Sequence, residues 1–145
     1  MEYTKRRTGA LYIVLLSLLL IGLVFTVGSD QGGFKGVSVK TPEDLSAFLT
    51  SMGYDCNIST MTVQSAVLPE QFDDIFIAYN SIQLQQNCDL TQYAGKEVTV
   101  YTVDILNYPT ETEGVLATVI VYKNKVIGGD IHAAAMDGFM VPLKP

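Results

Sequence analysis

The chain has 145 residues, of which 48% are hydrophobic, and a formal net charge of −6 at pH 7. Both arginines lie near the N-terminus. From Asp30 onward six lysines stand against fourteen acidic residues, so this part of the chain carries a net charge of −8. Binding to nucleic acid is therefore not expected, because a phosphate backbone requires clustered cations.

An uncharged apolar run follows three cations at the N-terminus. Lys5, Arg6 and Arg7 precede residues 8–29, in which Leu, Ile and Val predominate. About 20 apolar residues cross a hydrocarbon core of roughly 30 Å, and the preceding cations favour a cytoplasmic N-terminus. We expect a cytoplasmic N-terminus and transmembrane helix in residues 1–29, a flexible linker in residues 30–40 and one extracytoplasmic domain in residues 41–145.

Two amphipathic helices are predicted in the exported part. Thr41 and Pro42 are typical of a helix N-cap and first helical position, and four apolar residues recur at helical spacing up to Met52. A second helix is predicted over residues 69–86, with acidic residues near its beginning. Its expected buried face consists of Phe72, Ile75, Phe76, Tyr79 and Ile82.

Short runs rich in β-branched residues predict the strands. A first strand is expected over residues 59–68, and three more over residues 97–107, 114–122 and 126–132, where short polar connections indicate an antiparallel meander. The run 115–121 is apolar at nearly every position, which is typical of a central strand with both faces covered. The predicted fold class is α+β: an N-terminal transmembrane helix, then an antiparallel sheet of about four strands with both soluble helices on one face.

His132 is the only histidine, and strand alternation places it on the same face as Asp130. A carboxylate beside an imidazole can perform acid/base chemistry, but the same pattern also describes an ordinary polar end of a strand. There is no nucleophile elbow, no His-Glu-x-x-His and no Cys-x-x-Cys, and one histidine cannot build the common catalytic zinc shells. The sequence predicts no catalytic set, no metal site and no cofactor.

Three further residues join this pair as candidate binding residues. Asp137 and Phe139 belong to an Asp-Gly turn flanked by large apolar side chains, which is either a partner-contact patch or a closing segment packed on the sheet. Tyr108 is one of several tyrosines, whose polar tips suit ligand grooves as well as half-buried sheets.

The two cysteines allow two interpretations. Cys56 and Cys88 both fall in the exported part, and each follows one of the predicted helices, so a shared end of the sheet could bring them together as a disulfide. The alternative is a pair of small buried apolar side chains.

Several short motifs occur in an order that resembles a known family. They are Leu68-Pro69-Glu70-Gln71-Phe72-Asp73, Tyr79-Asn80-Ser81-Ile82-Gln83, Asp89-Leu90-Thr91-Gln92-Tyr93-Ala94-Gly95-Lys96, Asn107-Tyr108-Pro109, Ile127-Gly128-Gly129-Asp130 and Asp137-Gly138-Phe139. From about Val39 to its C-terminus the chain resembles an uncharacterised domain-of-unknown-function family of small bacterial proteins with one N-terminal membrane segment. The resemblance implies a Gram-positive type of cell envelope and an anchored exported domain, and it brings no known reaction. The family pattern has Gly where this chain has Cys88, so the resemblance implies a thiol pair particular to this protein.

These observations predict a membrane-anchored extracytoplasmic module that binds another envelope protein or a cell-wall ligand, and that is not an enzyme. The alternative is a small envelope hydrolase that uses Asp130 and His132.

Overall fold

The computed structural model describes residues 33–109, 113–135 and 137–144. All the described residues lie in one compact unit, Gly32–Pro145. The predicted membrane segment lies outside the described residues. Among the helices of the described ranges, none is long and apolar enough to cross a bilayer.

The described unit is an antiparallel sheet with helices packed on it, which confirms the α+β class. Five consecutive strands are neighbours in the order β1-β2-β3-β4-β5. The elements in chain order are α1 (Pro42–Ser51), β1 (Cys56–Val67), α2 (Asp74–Leu84), a 3-10 helix (Leu90–Tyr93), β2 (Glu97–Ile105), β3 (Val115–Tyr122), β4 (Lys125–Ala133) and β5 (Met140–Pro142).

Helix α1 begins where the local sequence predicts it. The Thr41 side chain accepts a hydrogen bond from the Asp44 N–H at 3.2 Å, and the Asp44 carboxylate accepts one in return from the Thr41 N–H at 3.1 Å. This reciprocal cap satisfies backbone donors that the first turn leaves without helical partners. Leu45, Phe48 and Leu49 are buried, as the apolar stripe predicts.

The two helices cover opposite faces of the sheet, so the expectation that both lie on one face was wrong. Side chains of α1 share a core cluster with Val115, Ala117, Val119 and Val121 of β3. Side chains of α2 pack against a second cluster that contains Ile120 of the same strand. Because successive residues of a strand point to opposite faces, β3 is apolar at nearly every position and is covered on both sides, by α1 on one and by α2 on the other.

Helix α2 is shorter than predicted, and its buried side matches the prediction only in part: Phe76 and Tyr79 pack against the second core cluster as expected. Asp73 caps it by accepting a hydrogen bond from the Phe76 N–H at 2.9 Å, so the helix begins at Asp74 rather than at Pro69. Ile75, predicted to be buried, is 77% exposed. Asn80 and Gln83 are buried instead, because both make hydrogen bonds inside the fold. A prediction from the spacing of apolar residues does not include such polar contacts.

In the part of the chain that the structure describes, the sheet has five strands instead of about four. Residues 140–142 pair with β4, opposite Asp130, Ile131 and His132. A strand of three residues is too short to show alternation in the sequence.

The N-terminal end of the domain begins earlier than predicted. Val39 is fully buried in the first core cluster, and its N–H donates to the Asn124 carbonyl at 2.9 Å. This part of the predicted linker therefore belongs to the folded unit.

Two glutamine side chains, Gln83 of α2 and Gln86 of the turn after it, form hydrogen bonds with the backbone of β4 at Gly129. Gly129 lies one residue beyond the part of β4 that pairs with β5. The Gly129 N–H donates to Gln83 Oε1 at 2.8 Å, and the Gly129 carbonyl accepts from Gln86 Nε2 at 2.7 Å. Gln86 Nε2 also donates to Gln83 Oε1 at 2.8 Å. These side chains satisfy backbone groups at a sheet edge that would otherwise be buried without partners, and they hold α2 against β4.

Candidate functional site

A chain of three side chains connects α2 to the surface of β4. The Tyr79 hydroxyl donates to Asp130 Oδ1 at 2.6 Å, and His132 Nδ1 lies 2.7 Å from Asp130 Oδ2. Asp130 and His132 are on the same strand face because they are two residues apart, and Tyr79 reaches them from the helix that covers this face. The structure therefore brings the predicted Asp130 and His132 together and adds Tyr79.

Asp130 is almost completely enclosed, with 2% of its surface exposed. Burial raises the pKa of its carboxyl group, and the hydrogen bonds from Tyr79 and His132 act in the opposite direction. Burial also raises the pKa of the Tyr79 hydroxyl, and the neighbouring Asp130 carboxylate raises it further. The hydroxyl therefore stays protonated, and it serves as a permanent donor to the carboxylate.

The Asp130 carboxylate determines which nitrogen of His132 carries a proton. An ionised Oδ2 can only accept, so Nδ1 of the neutral ring is the donor and Nε2 is left as an acceptor. The His132 side chain is 22% exposed, and Leu116 of β3 and Met140 of β5 flank it in the sheet register. The arrangement presents an oriented hydrogen-bond acceptor between two apolar side chains.

The other predicted binding residues lie elsewhere. The rings of Tyr108 and Phe139 stack with centroids 5.1 Å apart and planes at 20°, and both pack against the core cluster of α1, on the opposite face of the sheet from His132. Asp137 is exposed in the turn before β5. The five predicted residues do not form one site: Asp130 and His132 lie on one face of the sheet, and the aromatic pair lies on the other.

The two cysteines are free thiols, so the disulfide considered from the sequence is not formed. Cys56 begins β1 opposite Ile105, whereas Cys88 is buried after α2, with its Sγ close to Gly33. A shared end of the sheet was expected because each cysteine follows a helix, but the two helices lie on opposite faces. Burial raises the pKa of the Cys88 thiol, which keeps it protonated.

Sequence reasoning missed the polar side of α2. Asn80 Oδ1 accepts from the Leu90 N–H at 2.8 Å, and Asn80 Nδ2 donates to Asp89 Oδ1 at 3.0 Å. Gln83 is fully buried, and within the described ranges its Nε2 has no hydrogen-bond partner. The usable signal was the spacing of Tyr79, Gln83 and Gln86 at i, i+4 and i+7, which is a helical stripe of hydrogen-bonding side chains. Over the described parts of the chain, no group of three or more metal-ligating side chains comes together.

The ionisation of Asp130 predicts a specific pH dependence of stability. Because the folded pKa lies above the unfolded value of about 4, the folded chain retains a proton that the unfolded chain has lost, so this stabilisation is full below about pH 4 and is lost as the pH rises. We expect the difference in unfolding free energy, wild type minus Asp130→Asn, to decrease between pH 4 and pH 7 in urea titrations.

Asp89 supplies a control of opposite sign. Hydrogen bonds from Thr91 hold the pKa of the Asp89 carboxyl below its usual value, so its contribution is present above about pH 4 and is lost as the pH falls. The corresponding difference for Asp89→Asn should therefore increase with pH. Equal slopes for the two variants would contradict the burial of Asp130 as the cause.

Comparison with known proteins identifies one family. A family model described as a domain of unknown function, DUF4830, matches residues 48–131. No curated protein and no solved structure matches the chain. The match includes Tyr79 and Asp130, and it ends one residue before His132.

Proposed function

This chain belongs to the DUF4830 family, and we propose that it is a membrane-anchored extracytoplasmic module of the bacterial cell envelope that binds a partner through the sheet surface around His132. The anchor in this proposal is the apolar run of residues 8–29, and the three preceding cations would keep the N-terminus in the cytoplasm. The net negative charge of the exported part would repel it from an anionic membrane surface, which is consistent with a domain that does not bind the lipid headgroups.

The binding proposal rests on one observation: two buried or half-buried side chains hold the partly exposed imidazole of His132 in place. The Tyr79 hydroxyl holds the enclosed Asp130 carboxylate by a short hydrogen bond, and the carboxylate holds the His132 ring in one orientation by a second one. Such support is what a recognition group needs, because a side chain that is already oriented loses little entropy on binding. Leu116 and Met140 add apolar area on both sides of the ring.

This surface suits a ligand that offers an N–H or O–H donor beside an apolar group. His132 Nε2 would accept that hydrogen bond, and the 45% exposed Met140 would contact the apolar part. A segment of another envelope protein or the peptide part of a cell-wall ligand has this chemistry. The charge of the exported part argues against anionic polymers as ligands.

Site-specific photocrosslinking in intact cells tests the binding surface. A photoreactive benzoylphenylalanine in place of Met140 should capture a defined partner, whereas the same group in place of the 67% exposed Leu106 should not. Adding His132→Asn should lower the yield at position 140 about fivefold, the loss that corresponds to one neutral hydrogen bond. Equal capture at both positions, or a yield unaffected by His132→Asn, would contradict the proposal.

The anchor is tested separately by labelling with a membrane-impermeant maleimide in a Cys56→Ser, Cys88→Ser background. A cysteine replacing the exposed Thr91 should react in intact cells, and a cysteine replacing Glu2 should react only after permeabilisation. Recovery of the protein from the culture medium, or the reverse labelling pattern, would contradict the anchored orientation.

A small envelope hydrolase is the second candidate, and the 2.7 Å contact between Asp130 and His132 is the observation that favours it. This pair could act as a general base toward a bound water, since the carboxylate orients the imidazole and stabilises its protonated form. Loss of hydrolysis of envelope substrates in His132→Asn, with unchanged thermal unfolding, would establish this alternative in place of a binding module.

A further inference from the structure

We propose that two copies of this chain associate through strand β1, antiparallel about a two-fold axis at Ser65, so that their sheets join into one continuous sheet. This association concerns the edge of the sheet formed by β1, and it is independent of the proposed surface around His132. Three properties of β1 support it: the direction of its backbone groups, its composition and its symmetry.

Strand β1 lies at one edge of the described sheet. Among the described strands its one neighbour is β2, with regular pairing from Thr62 to Val67. The Leu68 N–H and C=O bond toward β2, to the Lys96 carbonyl and the Gly95 N–H, both at 2.9 Å. Because backbone groups alternate in direction along a strand, those of residues 63, 65 and 67 point away from β2, and a further strand could pair with them.

From Thr62 to Leu68 this edge lacks the charges and the proline that usually prevent pairing between strands. Strand β1 is 12 residues long, and residues 56–68 contain no charged residue and no proline, although the part of the chain from Asp30 onward carries a net charge of −8. Natural edge strands are commonly protected by charges, proline or a very short length. The opposite edge has such protection, because β5 has only three residues and one of them is Pro142.

The sequence of β1 is complementary to itself about Ser65. In an antiparallel pair centred there, Val63 of each copy lies opposite Val67 of the other, and the two Ser65 residues face each other. Val63 is 51% exposed and Val67 is 66% exposed, so both would gain a β-branched cross-strand partner. The Ser65 hydroxyl is already engaged by the Glu97 carboxylate, which leaves the Ser65 backbone for the second copy.

A second copy is the occupant these features favour. A strand of the same sequence brings no charge to the edge, whereas another charged surface of this acidic domain would meet repulsion. Self-pairing about Ser65 places Thr62 opposite Leu68, so it uses only the part of β1 that follows the irregularity between Asn57 and Thr62.

A charge-exchange experiment on the full chain in detergent micelles tests this geometry. Val63→Glu alone and Val67→Lys alone should each weaken dimerisation about tenfold or more in sedimentation equilibrium, because each places a charge opposite a valine of the second copy. The double variant should dimerise more tightly than either single variant, because the glutamate introduced at position 63 of one copy then faces the lysine introduced at position 67 of the other. Positions 63 and 67 are four residues apart, about 13 Å along one strand, so the two new charges do not face each other within a chain.

Disulfide capture provides an independent readout. In a Cys56→Ser, Cys88→Ser background, Ser65→Cys should form a disulfide-linked dimer, since directly opposed residues have Cα atoms about 5.5 Å apart. Thr91→Cys, exposed outside the sheet, is the matched control and should stay monomeric on denaturing gels. Near-ultraviolet circular dichroism establishes that each variant is folded.

Three results would overturn the proposal. One is a wild-type chain that stays monomeric up to high micromolar concentration, which would leave β1 for an extended segment of a different protein. The second is dimerisation that neither single variant weakens, which would place the contact outside β1. The third is a double variant weaker than both single variants, which would exclude antiparallel pairing about Ser65.

Discussion

Replacing Gly129 with alanine is expected to destabilise the domain by about 3 kcal/mol or more, a large part of the stability of a typical domain. A Cβ atom at this position would overlap the Thr118 carbonyl oxygen of the neighbouring strand and Leu143 Cδ1 in the first core cluster. The carbonyl belongs to the backbone of β3, so relief requires separation of two paired strands. Urea unfolding followed by near-ultraviolet circular dichroism measures the effect.

Gly128 is the matched control for this substitution. A Cβ there would lie 2.7 Å from Gln83 Oε1 and 3.3 Å from Leu90 Cδ2, and both of these atoms belong to side chains. Gly128→Ala should therefore cost less than Gly129→Ala, because side chains can shift more easily than a paired strand. Equal stability of the two variants would contradict the close approach at Gly129.

Tyr79→Phe is expected to lower the unfolding free energy by about 2 kcal/mol at pH 7. The substitution keeps the ring but removes the donor to Asp130 Oδ1, and the enclosed carboxylate is left with His132 as its remaining side-chain partner among the described residues. The hydrogen bond compensates for the water that the charged carboxylate loses on burial, so its removal destabilises the folded state.

A double-mutant cycle assigns this effect to the carboxylate. In an Asp130→Asn background, Tyr79→Phe should cost about 1 kcal/mol, the contribution of a neutral hydrogen bond. Tyr93→Phe serves as a control, since its ring packs on Tyr122 and no hydrogen bond of its hydroxyl is found within the described ranges. Identical costs of Tyr79→Phe in the two backgrounds would show that its contribution comes from packing.

The relation between Tyr79 and Asp130 also marks a limit of sequence reasoning about the site. The pairing of Asp130 with His132 follows from strand alternation alone, because the side-chain period of a strand is two residues. Tyr79 lies 51 residues earlier in the chain, and only the docking of α2 on β4 brings it to the carboxylate. The separation of Tyr108 and Phe139 from His132 is equally a matter of which sheet face each one occupies.

Helix α2 shows why its buried face was predictable only in part from apolar periodicity, which correctly placed Phe76 and Tyr79 against the core. Its apolar residues suggested a buried face that includes Ile75, but the structure exposes Ile75 and buries Gln83, whose amide oxygen binds the backbone of β4. A buried glutamine is favourable only where its hydrogen-bond partners are in place. Those partners belong to a distant strand, so the local sequence contains no direct sign of them.

The sequence by itself determined the local elements: the cap and apolar stripe of α1, the antiparallel succession of β2, β3 and β4, and the shared face of Asp130 and His132. These depend on short-range rules of capping, period and turn length. The tertiary structure alone decided which face each helix covers, that residues 140–142 pair as β5, and that Tyr79 completes the polar chain. An amphipathic pattern shows which side of a helix is buried, but that side can pack on either face of an apolar sheet. Contacts between residues far apart in the sequence determine which face it covers.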